Sequence, residues 1–326
     1  MGDLVVFGSC DGTFYALDKK TGRPEWSYDT RRDASETAFH DDPRLVGDSI
    51  VVGTDSPKGK GHLYAFERST GEVRWKLELG PDPNGSGGVR AELASDGDMV
   101  FVPAEEGRLV AVRLDDGIVR WSFPLADPMG PAAADGRVYV GGDGDAVFAL
   151  EVGTGALVWK TSLGAPISSS LILSGEDLIV GARDGHLFHL RRLNGEVASR
   201  QKLDGAPILD PILSGEAVLV LTSKIGDPKM AERLVRIDDP LAGPAWSQTS
   251  PAEWWGQHPA LWRGFLLLGD IHGEVSARRA SDGSEACSFK VDGMVRTIGA
   301  DESTLYVGTT TGRVHAFEAG RQACLD

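Results

Sequence analysis

The apolar residues of this chain fall in short runs that end in glycine, and no stretch repeats them with a helical period. Five of these runs are LVVFG at 4–8, IVVG at 50–53, VYVG at 138–141, LIVG at 178–181 and LYVG at 305–308. Runs of β-branched and aromatic residues bounded by turn residues are typical of β-strands. The pattern therefore predicts an all-β protein built from many short strands.

A longer phrase follows these runs and recurs about every forty residues. Its clearest copies are FYALDKKTGRPEW at 14–26, LYAFERSTGEVRW at 63–75 and VFALEVGTGALVW at 147–159. A period of this length indicates one supersecondary unit that is repeated. We use the third residue of the phrase, which is small in most copies, as the marker residue. It falls at Ala16, Ala65, Ala111, Ala149, His189, Arg236, Ala277 and Ala316.

Each repeat is interpreted as four strands. The Thr-Gly of the phrase, as in Thr21-Gly22 and Thr70-Gly71, supplies the positive φ that a hairpin loop needs. A strand with a tryptophan follows, and a further strand precedes each apolar run, for example at 166–173 and 207–213. Four short antiparallel strands, repeated radially, form the blade of a β-propeller.

The number of repeats predicts an eight-bladed β-propeller with a reduced first blade. Seven four-strand units begin near residues 36, 88, 129, 165, 206, 255 and 294. The first unit lacks its innermost strand because the N-terminus leads directly into the run at 4–8, and the final strand at 322–325 is short. Seven blades are the alternative, if one degenerate copy is not a blade. Because blades bury their faces against one another, we expect a single domain over residues 1–326.

The combination of Val-Gly, Asp-Gly, Leu-Tyr-Ala, Thr-Gly and a spaced tryptophan resembles the pyrroloquinoline-quinone-like (PQQ-like) propeller repeat, over nearly the whole chain. In that family the tryptophan docks onto the peptide near the glycine of a neighbouring repeat. The resemblance implies a structural docking role for Trp26, Trp75, Trp121, Trp159 and Trp246. Ser199 and Cys287 stand where this tryptophan is missing.

Two branches of the PQQ-like family imply different functions. The quinoprotein dehydrogenases bind PQQ and Ca²⁺ at the ring centre beside a disulfide between adjacent cysteines, and no two cysteines are adjacent here. The other branch is non-catalytic and includes the propeller lipoprotein of the outer-membrane β-barrel assembly machinery and sensor propellers fused to kinases. The length of the chain places it nearer this second branch. We therefore expect a binding scaffold without a cofactor; a PQQ-dependent dehydrogenase or its relic, and the ligand-sensing domain of a larger receptor or kinase, are the alternatives.

Composition narrows the class of partner. The formal net charge is −15, and no basic stripe interrupts it, which argues against nucleic acid and anionic membrane surfaces. No apolar stretch approaches the twenty or so residues needed to cross a bilayer. We expect a monomer that binds a protein or a small-molecule ligand at the mouth of the central channel.

The N-terminus and the cysteines are the features that relate to the cellular location of the protein. No signal peptide precedes the first strand, and this predicts a cytoplasmic protein. If the sequence is part of a longer precursor, an extracytoplasmic, periplasmic location is expected instead. Cys10, Cys287 and Cys324 lie in no metal-ligand spacing, and we expect structural roles for them. Because three is an odd number, at least one thiol is predicted to be free.

The strongest departure from the repeat is the segment EWWGQHPALW at 253–262. Trp254 and Trp255 alternate along a predicted strand, so at most one of them faces the channel. The hypothesis is an aromatic platform for a planar ligand or a peptide; the alternative is that both rings fill a gap between blades. Exposed aromatic and arginine side chains are the usual anchors of binding.

Four cations are candidates for holding an anionic group at the channel mouth: Arg90, Arg296, His258 and His40. The alternative is that they form salt bridges with nearby acidic residues, which contribute little stability. Asp143-Gly-Asp145 is interpreted as a turn, since it lacks the further ligands that Ca²⁺ requires. No catalytic constellation or metal site is found, so no catalytic residue is predicted.

Overall fold

The computed structural model describes residues 3–33, 37–40, 42–56, 59–81, 87–89, 91–207, 209–223, 232–250 and 259–318. In these residues the secondary structure consists of β-strands and one short 3₁₀ helix, Thr30–Asp33. The chain divides into two compact units, Met1–Leu171 and Ile172–Asp326, and each is described by itself.

The first unit contains four sheets, numbered in chain order. Sheet 1 has the order β1-β2-β3, sheet 2 β4-β5-β7-β8, sheet 3 β10-β11-β12-β13 and sheet 4 β14-β15-β16-β17, while β6 and β9 pair as a separate two-stranded ribbon. The strands are β1 (Leu4–Gly8), β2 (Thr13–Asp18), β3 (Pro24–Asp29), β4 (Arg44–Val46), β5 (Ser49–Gly53), β6 (Asp55–Ser56), β7 (Gly61–Glu67), β8 (Val73–Leu79), β9 (Gly87–Gly88), β10 (Ala94–Asp96), β11 (Met99–Ala104), β12 (Arg108–Arg113), β13 (Val119–Pro124), β14 (Ala132–Ala134), β15 (Arg137–Gly141), β16 (Ala146–Glu151) and β17 (Leu157–Ser162).

The second unit contains four further sheets. Sheet 5 has the order β18-β19-β20-β21, sheet 6 β22-β24-β25-β26 with β23 also paired to β24, sheet 7 β27-β28-β29-β30 and sheet 8 β31-β32-β33. The strands are β18 (Ile172–Ser174), β19 (Asp177–Gly181), β20 (His186–Arg191), β21 (Val197–Lys202), β22 (Ala206–Pro207), β23 (Ile212–Ser214), β24 (Ala217–Ser223), β25 (Glu232–Ile237), β26 (Trp246–Ser250), β27 (Ala260–Trp262), β28 (Phe265–Gly269), β29 (Glu274–Arg279), β30 (Glu285–Lys290), β31 (Val295–Ala300), β32 (Thr304–Thr309) and β33 (Val314–Glu318).

The sheets correspond one to one with the predicted repeats. In the part of the chain that the structure describes, sheet 1 has three strands and lacks a counterpart of the innermost strand, as the sequence predicts. Sheet 8 has three strands in the part that the structure describes, and the predicted short strand at 322–325 lies outside the described residues.

The innermost strands are shorter than predicted. The sequence predicts a strand at 166–173, but only Ile172–Ser174 pairs within sheet 5. The reason is that the preceding backbone bonds elsewhere: the Ile167 amide donates to the carbonyl of Gly142 at 3.2 Å, and the Leu171 amide donates to the carbonyl of Gly130 at 3.0 Å. These residues therefore join neighbouring elements instead of lengthening their own ladder.

The register explains why the marker residue is small. In sheets 1 to 4 the marker lies directly opposite the repeat's tryptophan, and a β-bulge follows at once. The pairs are Ala16 with Trp26, Ala65 with Trp75, Ala111 with Trp121, and Ala149 with Trp159. Residues directly opposite in a ladder have neighbouring side chains, so alanine leaves room for the indole.

The hydrophobic core lies between successive sheets. One cluster combines Val51 and Leu63 of sheet 2 with Val100 and Val110 of sheet 3, and others join sheets 3 and 4, or 5 and 6, in the same way. Stacking of repeats thus buries the apolar faces that a lone sheet would expose to water.

Candidate functional site

Four of the residues predicted to bind a ligand, Trp254, Trp255, His258 and Arg90, lie outside the described residues. His40 and Arg296 are described, but they belong to different units.

His40 is hydrogen-bonded to an almost fully buried carboxylate. Its Nδ1 donates to Oδ1 of Asp55 at 2.6 Å, and Asp55 is only 2% exposed. Ala38 fixes this pair by exchanging two backbone hydrogen bonds of 3.0 Å with Asp55. The positive charge that His40 could offer to an anionic ligand is thus directed at an acidic residue of the same unit.

Arg296 lies on β31 and is solvent-exposed. Among the described residues it has no hydrogen bond and no ion pair. Its role in holding an anionic group stays a prediction.

The tryptophans of the repeat join successive sheets by a recurring contact. The indole N–H donates to a backbone carbonyl of the next sheet: Trp26 to Arg68 at 3.0 Å, Trp121 to Val152 at 2.8 Å, and Trp246 to Ser281 at 2.9 Å. Trp75 bonds the carbonyl of Leu114 in the same way. We call the turns that accept these indoles the receiver turns; they are 68–71, 114–117, 152–155 and 281–283.

Each receiver turn ends in a glycine that lies under the indole ring. A Cβ atom on Gly71, Gly117, Gly155 or Gly283 would come within 3.0 Å of the tryptophan, and all four glycines have a positive φ near 70°. Only glycine satisfies both requirements, since other residues would be strained and would collide with the ring. The Thr-Gly or Asp-Gly of one repeat is therefore complementary to the tryptophan of the repeat before it.

The junction between sheets 5 and 6 is built differently. Ser199 stands opposite the marker His189, so the larger side chain is on the marker strand instead of on β21. In the receiver position, residues 238–245 lack the Thr-Gly, and Nε2 of Gln201 donates to the carbonyl of Ala242 at 3.0 Å. Sequence reasoning missed Gln201; the signal was the simultaneous loss of the tryptophan and of the Thr-Gly that should receive it.

Trp262 makes a junction from the opposite end of its sheet. Its indole N–H donates to the carbonyl of Asp301 at 2.6 Å, and the side chain is 4% exposed. The residue at the same place on β10, Asp96, accepts the amide of Gly136 at 2.8 Å. Sequence reasoning placed Trp262 within the aromatic segment and did not predict this contact, which serves packing.

A polar network ties sheet 1 to sheet 2. Oδ2 of Asp33 accepts the hydroxyls of Tyr28 at 2.8 Å and Tyr64 at 2.9 Å, and lies 3.2 Å from Nζ of Lys76. Burial alone would raise the pKa of Asp33, but these hydrogen bonds and the charge of Lys76 bring it below its usual value. Burial and the bond to Asp33 raise the pKa of Tyr28 to about 12.

The remaining chemistry-bearing side chains are dispersed. No group of three or more His, Cys, Asp or Glu able to hold a metal ion occurs in the described part of the chain. Asp145 accepts the Ser162 hydroxyl, and the amide of Asp143 bonds the carbonyl of Ala126, as in a turn. Cys10 is free and exposed, whereas Cys287 is disulfide-bonded. No helix among the described residues is long and apolar enough to cross a membrane.

Eight sheets, with four junctions made by a tryptophan docked on a glycine-containing turn, define an all-β protein of the eight-bladed PQQ-like β-propeller class. The prediction of eight blades is confirmed by a solved structure of BamB from Moraxella catarrhalis, which superposes with a TM-score of 0.77 at 19% identity and covers 98% of this chain and 94% of that one. A europium-containing methanol dehydrogenase is similar in fold alone, with a TM-score of 0.69 at 13% identity over 94% of this chain and 80% of that one.

The chain belongs to the family described as outer membrane protein assembly factor BamB. The model of that family matches residues 1–131 and 128–239. The outer membrane protein assembly factor BamB of Yersinia pestis is 23% identical over 330 aligned residues, which cover 97% of this chain and 82% of that protein. The prediction of the non-catalytic branch of the PQQ-like family is thereby confirmed, and the chain is a binding scaffold.

Proposed function

We propose that this chain is a scaffold in the assembly of outer-membrane proteins, where it binds other proteins of the assembly machinery. The observation that supports this most directly is the family match over residues 1–131 and 128–239. The similarity in fold to a solved BamB along 98% of the chain adds to it. A scaffold of sheets that presents loops is suited to binding several partners.

The periplasm is the compartment that we propose for this activity. The disulfide of Cys287 supports it, because disulfides persist in oxidising compartments and are rare in the reducing cytosol. The net charge of −15 is also suited to a protein that binds other proteins and not the anionic membrane surface.

The proposal is tested by capture from cells that make the protein. An affinity-tagged chain, crosslinked in living cells and purified from the envelope fraction, is expected to retain proteins that insert β-barrels into the outer membrane. Deletion of the gene is expected to lower the amount of folded outer-membrane β-barrels. Capture of cytosolic proteins alone, with unchanged β-barrel levels in the deletion strain, would refute the proposal.

Trp254 and Trp255 are the anchors that we propose for partner binding, with Arg90, His258 and Arg296 as supporting cations. Exposed aromatic and arginine side chains dominate protein interfaces. The double variant Trp254→Ala/Trp255→Ala is expected to reduce capture at least tenfold while its thermal unfolding midpoint stays within a few degrees. A large drop in that midpoint, with capture reduced only in proportion to unfolding, would assign both rings to packing instead.

We propose that the scaffold works without a bound cofactor. Membership of the BamB family supports this, because that family belongs to the non-catalytic branch of the PQQ-like propellers. Titration of the purified chain with PQQ and Ca²⁺ is expected to show no saturable change in quinone absorbance. Saturable binding accompanied by oxidation of an alcohol would overturn this part of the proposal.

A further inference from the structure

An exposed apolar stretch lies beside the junction of sheets 5 and 6. Residues 241–245, with the sequence LAGPA, are all solvent-exposed, and Leu241 is 81% exposed. We call these five residues the LAGPA stretch. Single exposed leucines are ordinary on protein surfaces, so the stretch needs a second observation before it indicates binding.

That observation comes from the other junctions of the same molecule. At the four receiver turns described above, an indole ring covers the turn and donates its N–H to a backbone carbonyl. The LAGPA stretch occupies the receiver position of sheet 6, but the strand that faces it has Ser199 in place of the tryptophan. Gln201 supplies the hydrogen bond to Ala242 and no aromatic surface.

The strand facing the stretch also holds acceptor atoms that are not used. Ser199 and Gln201 alternate with exposed residues on β21, so their side chains share one face of the strand. The hydrogen bond from Gln201 to Ala242 shows that this face is directed toward the LAGPA stretch. Oγ of Ser199 and Oε1 of Gln201 are buried and have no hydrogen-bond partner among the described residues. An unpaired buried acceptor is costly and favours the arrival of a donor.

Apolar surface next to unpaired acceptors is complementary to an indole, which combines a large apolar ring with a single N–H donor. Val197 extends the apolar surface on the same strand and is 40% exposed. We infer that the LAGPA stretch, with Val197, Ser199 and Gln201, docks a tryptophan side chain presented by a loop of a partner protein. The inference rests on the proposed function, and it adds a defined contact to it: the partner supplies the indole that the repeat lacks.

The first test uses the full chain and N-acetyl-tryptophanamide as the probe, followed by amide and methyl NMR. Saturable shifts are expected at Val197, Gln201 and residues 241–245. Leu241→Asp should weaken the apparent affinity at least tenfold. Ile118→Asp is the matched control, because Ile118 is also exposed, at 53%, but adjoins a receiver turn that Trp75 already covers, and it should leave the titration unchanged.

The second test restores the missing ring. The double variant His189→Ala/Ser199→Trp restores both the small marker residue and the indole opposite it. It is expected to fold, as judged by circular dichroism, and to abolish the response to the probe, because its own indole would cover the stretch. Undiminished probe binding to the folded double variant would overturn the inference. If this variant does not fold, the Leu241→Asp and Ile118→Asp pair decides the question alone.

Three further results would also overturn the inference: no saturable shift, an equal response to N-acetyl-leucinamide, or a concentration-dependent dimer in sedimentation that Leu241→Asp abolishes. The last would assign the stretch to a second copy of the chain. These outcomes are separable from the proposed function, because failure of the titration with envelope capture intact rejects only the docking contact, and the reverse result rejects only the function.

Discussion

Gly22 and Gly71 occupy the same place in consecutive Thr-Gly turns, but only Gly71 lies under a tryptophan. Their φ angles are 68° and 72°, and a Cβ on Gly22 would meet nothing within 4 Å, whereas one on Gly71 would collide with Trp26. Gly22→Ala should cost about 1–2 kcal/mol from the left-handed backbone. Gly71→Ala should cost a further 1–3 kcal/mol, approximately, from overpacking. Urea unfolding of both variants measures the difference, and equal losses would contradict the docking contact.

His189 predicts a dependence of stability on pH. Burial lowers the pKa of its imidazole, although the charge of Asp177 opposes the effect. Between the unfolded pKa of about 6.5 and the lower folded pKa, the unfolded chain binds more protons, so stability falls as the pH decreases through that window. It is fully restored above the unfolded value.

The variant His189→Leu should lose this part of the pH dependence. The free energy of unfolding is measured at pH 7.5 and pH 5.5 for the wild type, for His189→Leu and for His272→Leu, whose side chain is exposed. The wild type and His272→Leu should lose stability to the same extent on acidification, and His189→Leu should lose less. An equal loss in all three proteins would assign the acid sensitivity to other groups.

The roles of the docking tryptophans could be predicted from the sequence, whereas those of His40 and His189 could not. The roles of Trp26 and Trp121 follow from the repeat, because the Thr-Gly that receives each indole is visible in the sequence one repeat later. The exchange between His189 and Ser199 does not follow, since it depends on the register and bulge that place these two residues opposite each other. The sequence groups His40 with the cations of a ligand site, and only the fold shows that Asp55 lies 2.6 Å away.

At the scale of elements, Asp33 joins the three-stranded sheet 1 to its neighbour. Asp33→Asn removes a charge that pairs with Lys76 and weakens the acceptor of two partly buried hydroxyls, so a loss of about 1–3 kcal/mol is expected. Because the folded pKa of Asp33 is lowered, its contribution is present above the unfolded value near 3.9 and is lost as the pH falls below that value. Differential scanning calorimetry between pH 3 and pH 7 measures it.

Asp29→Asn is the control for this network. Asp29 bonds only Arg31, two residues away, at an exposed position. Exposed pairs contribute little, so the melting temperature should hardly change. A loss for Asp29→Asn as large as that for Asp33→Asn would show that charge near the 3₁₀ helix, and not the link between sheets, is what matters. This link could not be predicted from the sequence, because Tyr28, Asp33 and Tyr64 come from three separate elements.

At the scale of the whole molecule, a disulfide replaces the tryptophan of sheet 7. Cys287 stands opposite the marker Ala277 and is disulfide-bonded. A disulfide of this kind typically contributes about 2–4 kcal/mol. Cys287→Ser should therefore lower the melting temperature, and reductant should lower that of the wild type to the same value while leaving the variant unaffected. A wild type insensitive to reductant would contradict this. The pairing could not be predicted, because three cysteines allow several arrangements.

The eight-bladed class could be predicted because it depends on counting. Each copy of the repeat that keeps its turn and its tryptophan in register predicts one blade, even where one strand is missing, as in sheet 1. The binding surface could not be predicted with the same security, since binding residues such as Arg296 differ from copy to copy and leave no periodic signal. The LAGPA stretch differs from the four intact receiver turns in having no tryptophan over it, and this difference depends on the fold.

The direction of the tryptophan contacts has a consequence for the order in which the protein forms. Each of the four docked indoles bonds a carbonyl that lies later in the chain, 42 residues later for Trp26 and 31 for Trp121. Because a polypeptide is synthesised from its N-terminus, each of these four blades must wait for the next one to emerge before its tryptophan is covered. Blades would therefore dock in order from the N-terminus, each one completed by the blade that follows it in the chain. The fifth blade, which has no tryptophan, depends least on its successor.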